Sequence, residues 1–482
     1  MNFSIIRFVI GRIMLVEAIL LTPSLAVGLL YGESTKTIGS FLLTMAILLL
    51  CGGALSFRKP ATTMFYAREG FVIVTLTWFL LSIFGALPFL FSGSIPSVVD
   101  ALFETASGFT TTGASILNNV ESLPHSIVFW RSFTHLIGGM GILVFTLALF
   151  PKLGSNAVHI MKAEVPGPAF GKLLPKVHLI ARYLYFIYLG MTAVVVILLV
   201  IGKMPVFDSF IHAFGAAGTG GFSNKNNSVL YYNSAYIDYV LSFSMIMFGV
   251  NFNLYYLFLI KRFKTVFRNE ELRWYLGIIA ATTLLICWFI RDSYDSIMMM
   301  VRDVFFAVSS IITTTGFSTV DFDKWPLPAH IILLFLMFCG AMSGSTGGGI
   351  KVARITLYIK SFIQEVRRSI NPNRKLPIII DSKPVDADIH RSAGNYLMVY
   401  ILVFGLTMLI VSIDANSFTT AFSSVAATIN NIGPGLDAVG PTMNYSQQSD
   451  LSKVALTFAM IAGRLEILPV LILFSPRTWR KA

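Results

Sequence analysis

The hexapeptide TTTGFS, residues 313–318, lies between two long apolar runs, and a near copy, TTTGAS, stands at residues 110–115. A polar segment that recurs between apolar runs indicates duplication of a whole structural unit. Aligning the two copies on their glycine adds GTGGFS at 218–223 and NNIGPG at 430–435. The sequence therefore predicts four repeats of one unit. The equivalent glycines are Gly113, Gly221, Gly316 and Gly433.

The composition is that of an integral membrane protein. Of 482 residues, 55% are hydrophobic and only 12% are charged. Several apolar runs exceed the roughly 20 residues that a helix needs to cross about 30 Å of hydrocarbon. The three cysteines, Cys51, Cys287 and Cys339, stand in separate apolar segments, and the histidines and carboxylates form no metal cluster or acid–base pair. We expect neither an enzyme nor a bound cofactor.

The net charge of +12 is explained by membrane orientation rather than by nucleic-acid binding. Basic residues concentrate in alternate connections, within 58–68, 152–176, 261–273 and 360–375. Such connections are cytoplasmic under the positive-inside rule. The remaining connections carry scattered single cations, so both termini are predicted to be cytoplasmic.

Each repeat contains a segment too short to cross the membrane. At the same distance before each aligned glycine stands a residue that favours a helix N-cap. These predicted caps are Asp100, Asp208, Asp303 and Thr420. Between cap and hexapeptide lie about ten apolar residues, which as a helix would measure about 15 Å, half a bilayer. This segment must turn back within the membrane.

The predicted fold is an all-α integral membrane protein with a lead-in helix pair, 3–31 and 38–57, followed by four helix–re-entrant loop–helix repeats around a central ion pathway. The first helices are predicted at 70–92, 180–202, 274–291 and 394–413, and the second helices at 124–150, 234–260, 327–359 and 450–474. This predicts ten spans. The corresponding divisions are 1–69 for the lead-in pair and 70–178, 179–273, 274–393 and 394–482 for the repeats.

The repeated loop has the chemistry of a cation site. Four re-entrant helices meeting at one axis would aim the partial negative charge of their carboxyl ends at a common point. Backbone carbonyls, with the hydroxyls of 110–112 and 313–315, can replace the water shell of an ion. The hexapeptides contain no carboxylate, which disfavours a divalent ion. Close helix packing alone is the alternative explanation of the Thr and Gly residues.

The whole chain, including GSTGGGIK at 344–351, NNIGPG at 430–435 and GRLEILPV at 463–470, resembles the Trk/Ktr/HKT superfamily of potassium-uptake proteins, and most closely its bacterial membrane subunits. The resemblance implies a selectivity filter with one glycine from each repeat. The implied filter residues are Thr110, Thr111, Thr112, Gly113, Thr219, Gly220, Gly221, Thr314, Thr315, Gly316, Asn431, Ile432 and Gly433. Related plant proteins that prefer sodium have serine at the first position, so Gly113 favours potassium. The second and fourth loops depart from TTTG.

The same resemblance implies the setting of the protein. It implies a homodimer in the lipid bilayer of the bacterial inner membrane. It also implies a cytoplasmic TrkA-type ring of nucleotide-binding domains as regulator, so that NAD and ATP act only through that partner. No nucleotide motif or nucleic-acid site is expected in this chain.

The second helix of repeat 3 is interrupted by GAMSGSTGGGIKVAR, residues 340–354, which is too rich in glycine and serine to hold a helix. We expect a flexible intramembrane gate beneath the filter, the role that the resemblance implies. The predicted gate residues are Gly344, Ser345, Thr346, Gly347, Gly348 and Gly349. A tightly packed kink is the alternative. A nucleotide-binding P-loop fails because Ile350 separates the last glycine from Lys351.

Arg464 is a charge inside the last predicted span and should face protein or water. We expect it to form an electrostatic barrier below the filter. The alternative is a structural pair with a carboxylate, for which Glu466 is a poor candidate because residues two apart do not face each other on a helix. Arg131, Glu104 and His212 are expected to pair between helices.

The predicted function is channel-like potassium uptake. The alternative is a secondary transporter that couples potassium to protons or sodium. Carriers commonly contain inverted repeats, whereas these four repeats share one orientation.

Overall fold

A computed structural model describes residues 1–60, 66–141, 177–371 and 377–479. Within these ranges the regular secondary structure is helical apart from one antiparallel pair, β1 (Ile379–Ile380) and β2 (Lys383–Pro384), in which Ile379 lies opposite Pro384. The predicted all-α membrane class is confirmed.

The helices divide into a lead-in group and four repeats. The lead-in group is α1 (Phe3–Leu20), α2 (Thr22–Leu30) and α3 (Thr35–Ser56). Repeat 1 contains α4 (Ala67–Gly85), α5 (Leu87–Ser92), α6 (Val98–Phe109) and α7 (His125–Gly139). Repeat 2 contains α8 (Val177–Ile201), α9 (Val206–Gly218), α10 (Ala235–Phe248), α11 (Phe252–Leu259) and α12 (Phe263–Arg268). Repeat 3 contains α13 (Glu270–Ile290), α14 (Ile297–Ile312), α15 (Leu327–Cys339) and α16 (Val352–Ile370). Repeat 4 contains α17 (Ala387–Val411), α18 (Phe418–Ile429), α19 (Asp450–Arg464), α20 (Leu468–Phe474) and α21 (Pro476–Trp479).

The lead-in helices α1 and α3 cross at a pair of glycines. A Cβ added to Gly11 would lie 2.8 Å from the carbonyl oxygen of Gly52, and a Cβ on Gly52 would lie 2.8 Å from that of Gly11. Small residues at a crossing let two membrane helices approach closely, which favours van der Waals packing where lipid offers no hydrophobic gain.

The four half-helices are α6, α9, α14 and α18. They contain 12, 13, 16 and 12 residues and are too short to cross the bilayer, as predicted. Each packs against the helix that follows the half-helix of the preceding repeat: α9 on α7, α14 on α10, α18 on α15, and α6 on α19. Because α6 of repeat 1 packs on repeat 4, the four repeats close into a ring.

The predicted N-caps of the half-helices are wrong. The capping positions are Ser97, Pro205, Ser296 and Ser417. Asp100, Asp208 and Thr420 lie inside the first turn, and Asp303 lies deeper in α14.

The reason for this error is electrostatic. An acidic residue is stabilised in the first turn by the helix dipole as well as at the cap, so a constant offset does not separate the two positions. In the first turn these side chains also bind neighbours: Asp100 accepts a hydrogen bond of 2.6 Å from Lys453, and Asp208 accepts one of 2.7 Å from Tyr232.

The helices that return from the half-helices are interrupted in repeats 2, 3 and 4, and that of repeat 1 is described only as far as residue 141. In repeat 2, α10 and α11 meet at 91°, and in repeat 4, α19 and α20 meet at 119°. In repeat 3, α15 ends before the glycine-rich loop, and in repeat 1, α7 ends at Gly139. The sequence predicted the interruption in repeat 3, but continuous helices at 234–260 and 450–474 were wrong.

The described residues contain six helices that are long and apolar enough to span a membrane, or up to eight if each bent pair is one span. The other two predicted spans are 124–150, which runs beyond the described residues, and 327–359, which the glycine-rich loop divides. The count of ten spans stays a prediction.

Candidate functional site

The four aligned glycines form a closed ring. A Cβ added to Gly113 would lie 2.6 Å from the backbone nitrogen of Gly221, and one on Gly221 would lie 2.7 Å from the carbonyl oxygen of Thr315. One on Gly316 would collide with the carbonyl oxygen of Ile432, and one on Gly433 would lie 2.7 Å from that of Thr112. Each glycine thus faces the equivalent segment of the next repeat, and the fourth faces the first.

The chain reaches this ring through the same turn in all four repeats. Two residues before each glycine, the backbone is left-handed, with φ of 58° at Thr111, 55° at Thr219, 60° at Thr314 and 57° at Asn431. The next residue in each repeat donates its N–H to the carbonyl five positions earlier, at 2.8 Å in every case. This is a Schellman turn, which ends a helix sharply and satisfies its last carbonyls. Glycine usually occupies the left-handed position, and a non-glycine residue there costs about 1 kcal/mol or more.

The aligned glycines are not conformationally equivalent. Gly113, Gly316 and Gly433 have φ of 79°, 85° and 99°, a region that other residues rarely adopt. Gly221 lies outside that region, so its side chain is excluded by crowding against Thr315 and Gly316 alone. Repeat 2 is also the repeat whose sequence is GTGG, at residues 218–221, instead of TTTG.

The hydroxyls of the first and third threonines of each TTTG segment are engaged within the protein. Thr110 donates to the carbonyl of Ala106 at 2.6 Å and lies 2.7 Å from the hydroxyl of Thr112. In repeat 3, Thr313 donates to Ser309 at 2.6 Å and lies 2.8 Å from the hydroxyl of Thr315. These pairs lock the turn in the two repeats that share the TTTG sequence.

Two further buried side chains, Asn431 and Tyr445, also hold the ring. The amide of Asn431 donates to the hydroxyl of Thr112 at 2.9 Å, which joins repeats 4 and 1, and the hydroxyl of Tyr445 donates to the carbonyl of Gly433 at 2.8 Å. Asn431 was predicted only as a filter position, and nothing in the sequence around Tyr445 marks it.

The helix-to-helix pairing expected of Arg131 and of Glu104 is observed, and the two side chains are each other's partner. The two side chains are buried and lie 2.5 Å apart, and Glu104 also accepts a hydrogen bond from the backbone of Ile116 at 2.9 Å. The Arg131 guanidinium donates to the carbonyl of Ser223, two residues beyond Gly221, at 3.1 Å. One ion pair therefore connects the segments that follow the ring in repeats 1 and 2.

His212 lies at the same position in repeat 2 as Glu104 in repeat 1, but among the described residues it forms no ion pair with another helix. Its Nε2 lies 3.1 Å from the hydroxyl of Ser223, and its Nδ1 lies 2.8 Å from the carbonyl of Asp208, both in its own repeat. His212 supports the segment after Gly221 locally.

A polar cavity of about 190 Å³ opens on one side of the ring and reaches all four glycines. Its lining contains backbone and amide groups, among them Asn118, Asn226 and Asn444, and two cations, Arg131 and Lys225. The described lining residues include no carboxylate. Among the described residues there is also no cluster of three His, Cys, Asp or Glu side chains that could hold a metal.

The glycine-rich loop lies directly against the carboxyl ends of two half-helices. The backbone N–H of Gly348 donates to the hydroxyl of Thr314 at 2.6 Å, and that of Gly349 donates to the carbonyl of Asn430 at 3.1 Å. A Cβ on Gly347 would lie 2.9 Å from the carbonyl of Thr313. The loop glycines are therefore required by close backbone contact with repeats 3 and 4.

The other end of the loop is bound by the interrupted helix of repeat 2. Met342 donates its backbone N–H to the carbonyl of Gly249 at 3.1 Å, and Phe252 donates its own to the carbonyl of Gly344 at 3.1 Å. Gly249 and Phe252 flank the break between α10 and α11. Because the helix is broken there, the carbonyl of Gly249 and the N–H of Phe252 have no partner within a continuous helix. The loop supplies their hydrogen-bond partners.

Arg464 is buried and joins the loop to repeat 1. Its guanidinium donates to the carbonyl of Thr346 at 2.7 Å, and to those of Gly138 and Gly139 at 2.6 Å and 2.7 Å. Glu466 does not pair with it, as expected, but forms a two-pronged pair with Arg354 at 3.0 Å and 2.7 Å. Sequence reasoning missed Arg354, which begins α16 just after the loop.

The break between α19 and α20 is conformationally strained. Glu466 and Ile467 have φ of 55° and 64°, and the latter is a β-branched residue for which a positive φ is a genuine outlier. Arg354 holds the Glu466 side chain at this position and stacks over the ring of Tyr396 at 4.1 Å. The Arg354–Glu466 pair therefore connects α16, the helix that follows the loop, to the strained break between α19 and α20.

Four half-helices and their return helices, closed around a glycine ring, define a membrane transport protein built from re-entrant loops. The chain belongs to the TrkH family: the family model described as a cation transport protein matches residues 38–481.

Individual relatives cover the full chain. The Trk system potassium uptake protein TrkH of Salmonella typhimurium is 36% identical, and TrkG of Escherichia coli is 32% identical, each over 100% of both chains. The crystal structure of the potassium transporter TrkH from Vibrio parahaemolyticus superimposes with a TM-score of 0.88 at 32% identity, again over 100% of both chains.

Proposed function

We propose that the chain takes up potassium across the bacterial inner membrane through a channel-like path at the glycine ring. The closed contact of Gly113, Gly221, Gly316 and Gly433 carries this proposal, because it brings backbone from four repeats to one point and excludes side chains there. Backbone carbonyls at such a point can replace the water shell of a monovalent cation. The relatives named above as potassium uptake proteins support potassium as the ion.

The electrostatics of the ring suit a monovalent cation. Each half-helix ends at the ring with its carboxyl end, where the helix dipole places partial negative charge. The described lining of the adjoining cavity offers no carboxylate, which a divalent ion would favour. With the threonine hydroxyls engaged in the protein, the carbonyls are the proposed ligands.

The glycine-rich loop, residues 344–349, is the proposed gate. It lies between the ring and Arg464, whose positive charge would repel a cation in the path. The loop leads directly into α16, whose far end carries exposed Arg367 and Arg368. Movement of α16 by a cytoplasmic partner would therefore pull on the loop.

The proposed partner is a TrkA-type ring of nucleotide-binding domains, and the proposed assembly is a homodimer with both termini in the cytoplasm. NAD and ATP would act through that ring. The basic cytoplasmic connections predicted from the sequence provide a docking surface of suitable charge.

A potassium carrier coupled to protons or sodium is the second candidate. Glu17 in α1 favours it: the side chain is 1% exposed, and neither carboxyl oxygen has a hydrogen-bond partner among the described residues. An isolated carboxyl inside a membrane protein is the kind of group that carries protons in transporters.

Current recording on the purified protein in bilayers tests the two functions. A reversal potential that follows the potassium gradient supports the channel. A current that follows the proton gradient at fixed potassium, and that Glu17→Gln abolishes, supports the carrier and contradicts the channel.

A further inference from the structure

A basic cavity of about 840 Å³ lies away from the ion path, between the end of repeat 2 and repeat 3. Its charged lining residues are Lys264, Arg268, Arg273, Lys360 and Lys383, with Glu270 and Asp381. Cations therefore outnumber carboxylates in this lining.

The two carboxylates of the basic cavity are already bound. Glu270 forms an ion pair with Lys360. Asp381 accepts hydrogen bonds from the backbone of Glu270 at 2.7 Å and from the side chain of Asn269 at 3.0 Å. Within the described part of the chain, Lys264, Arg268 and Lys383 have no carboxylate partner. The cavity thus holds uncompensated positive charge suited to an anion.

An apolar groove continues from the basic cavity along α13. The groove has a volume of about 470 Å³, and it shares Glu270 and Arg273 with the cavity before passing Trp274, Gly277 and Ile278. The helix α13 begins one of the spans described above. A Cβ added to Gly277 would meet nothing within 4 Å. The groove is therefore open space beside a spanning helix, with its charged end at the basic cavity.

The short helix α12 marks the edge of the membrane at this point. Phe263 and Phe267, one turn apart, are 44% and 67% exposed, and Lys264 and Arg268 follow them on the adjacent face. Exposed aromatic residues beside cations are the pattern of a helix that lies in the lipid interface.

We propose that the basic cavity and the apolar groove together bind an anionic phospholipid. The phosphate would contact Lys264, Arg268 and Lys383, and an acyl chain would follow α13 over Gly277. Basic pockets between membrane helices on the cytoplasmic side recognise such headgroups. A free phosphate or an acidic protein would use the cations but leave the groove empty.

The test measures lipid binding to the purified full-length protein by native mass spectrometry, with phosphatidylglycerol and phosphatidylcholine as probes. We expect a preference for phosphatidylglycerol. Lys264→Gln with Arg268→Gln should weaken that binding by about thirtyfold, given about 1 kcal/mol per cation near a charged headgroup. The matched control is Arg367→Gln with Arg368→Gln, which removes two exposed cations from the far end of α16 and should change nothing.

The groove is tested separately by Gly277→Leu, which fills the open space without altering charge. It should weaken binding of phosphatidylglycerol by several-fold, whereas Gly405→Leu, at another glycine whose Cβ would meet nothing within 4 Å, should not. Thermal unfolding of each variant confirms that it is folded.

Three results would overturn the proposal. One is equal binding of the two lipids. Another is displacement of lipid by millimolar inorganic phosphate with no effect of Gly277→Leu, which identifies a free-phosphate site. The last is a double variant, Lys264→Gln with Arg268→Gln, that binds lipid as before but no longer binds the proposed nucleotide-binding ring. That result would identify a protein-docking surface.

Discussion

The glycine ring and the loop beneath it follow opposite rules of construction. The ring repeats one solution four times: a half-helix, a left-handed residue, a 2.8 Å hydrogen bond to the carbonyl five positions back, and a glycine. The loop occurs in one repeat and makes different bonds with repeats 2, 3 and 4, including the hydroxyl of Thr314, the backbone of Gly249 and the side chain of Arg464. A symmetric site suits an ion that must meet equal ligands, whereas a single asymmetric element can be moved without disturbing them.

Gly316→Ser should have the largest effect, because it breaks the symmetric part. Gly316 has φ of 85°, and a Cβ there collides with the carbonyl of Ile432 and lies 2.8 Å from Pro434. The ring must widen, so we expect the permeability of potassium relative to sodium to fall by about tenfold or more. Reversal potentials in mixed potassium and sodium gradients measure it.

The control for this variant is Gly405→Ser, at a glycine with open space around it. Unchanged relative permeability in Gly316→Ser would contradict the assignment of the ring as the selective element.

Arg464→Ala should have the next largest effect, on the asymmetric part. The change removes hydrogen bonds to Thr346, Gly138 and Gly139 and removes the positive charge below the ring. We expect potassium flux without any regulator to rise by at least about tenfold, since even one bond from a charged donor contributes about 1.5–3 kcal/mol.

Arg464→Lys separates the two causes, because lysine keeps the charge but not the planar fork that reaches three carbonyls. If Arg464→Ala leaves both single-channel current and ion selectivity unchanged, the barrier is refuted.

Glu466→Gln should loosen the connection between the loop and the strained end of repeat 4. The largely buried Arg354 would lose its charged partner, which destabilises by up to about 3–5 kcal/mol when an ion pair is buried and less where water reaches it. We expect a lower melting temperature and a several-fold higher basal flux, with selectivity unchanged. Arg354→Met in the same chain should recover much of the stability, and a loss of selectivity in the single variant would show that the pair supports the ring.

The symmetric part was the more predictable from sequence, for a physical reason. At each of the four positions a side chain would collide with the backbone of the next repeat, so only glycine fits. Alignment of the repeats therefore sufficed to find Gly113, Gly221, Gly316 and Gly433. The left-handed turn before them was not predicted, because three threonines and an asparagine fill positions where glycine is the usual signal.

The asymmetric part was predictable only in outline. The glycine content of 344–349 indicated a non-helical loop, but its partners are carbonyls and hydroxyls far away in sequence. Backbone acceptors carry no residue signature, so the anchors of Arg464 could not be named. The pairing of Arg354 with Glu466 depends on the bend between α19 and α20, which an apolar run does not reveal.

The smallest effect compares two positions that symmetry makes equivalent. Thr314 and Thr111 occupy the same left-handed position, but only the Thr314 hydroxyl is known to accept a hydrogen bond from the loop, 2.6 Å from the nitrogen of Gly348. Valine has the shape of threonine without the hydroxyl, so Thr314→Val removes that bond. Thr111→Val is the matched control, because both variants keep a β-branched side chain at the same position of the turn. Losing one such bond, worth about 1 kcal/mol, should raise the open fraction by about fivefold in Thr314→Val and leave Thr111→Val near the parent value, as measured by single-channel recording. Equal effects at the two positions would mean that the hydroxyl serves the turn rather than the gate, and the division between a symmetric ring and an asymmetric loop would fail at its point of contact.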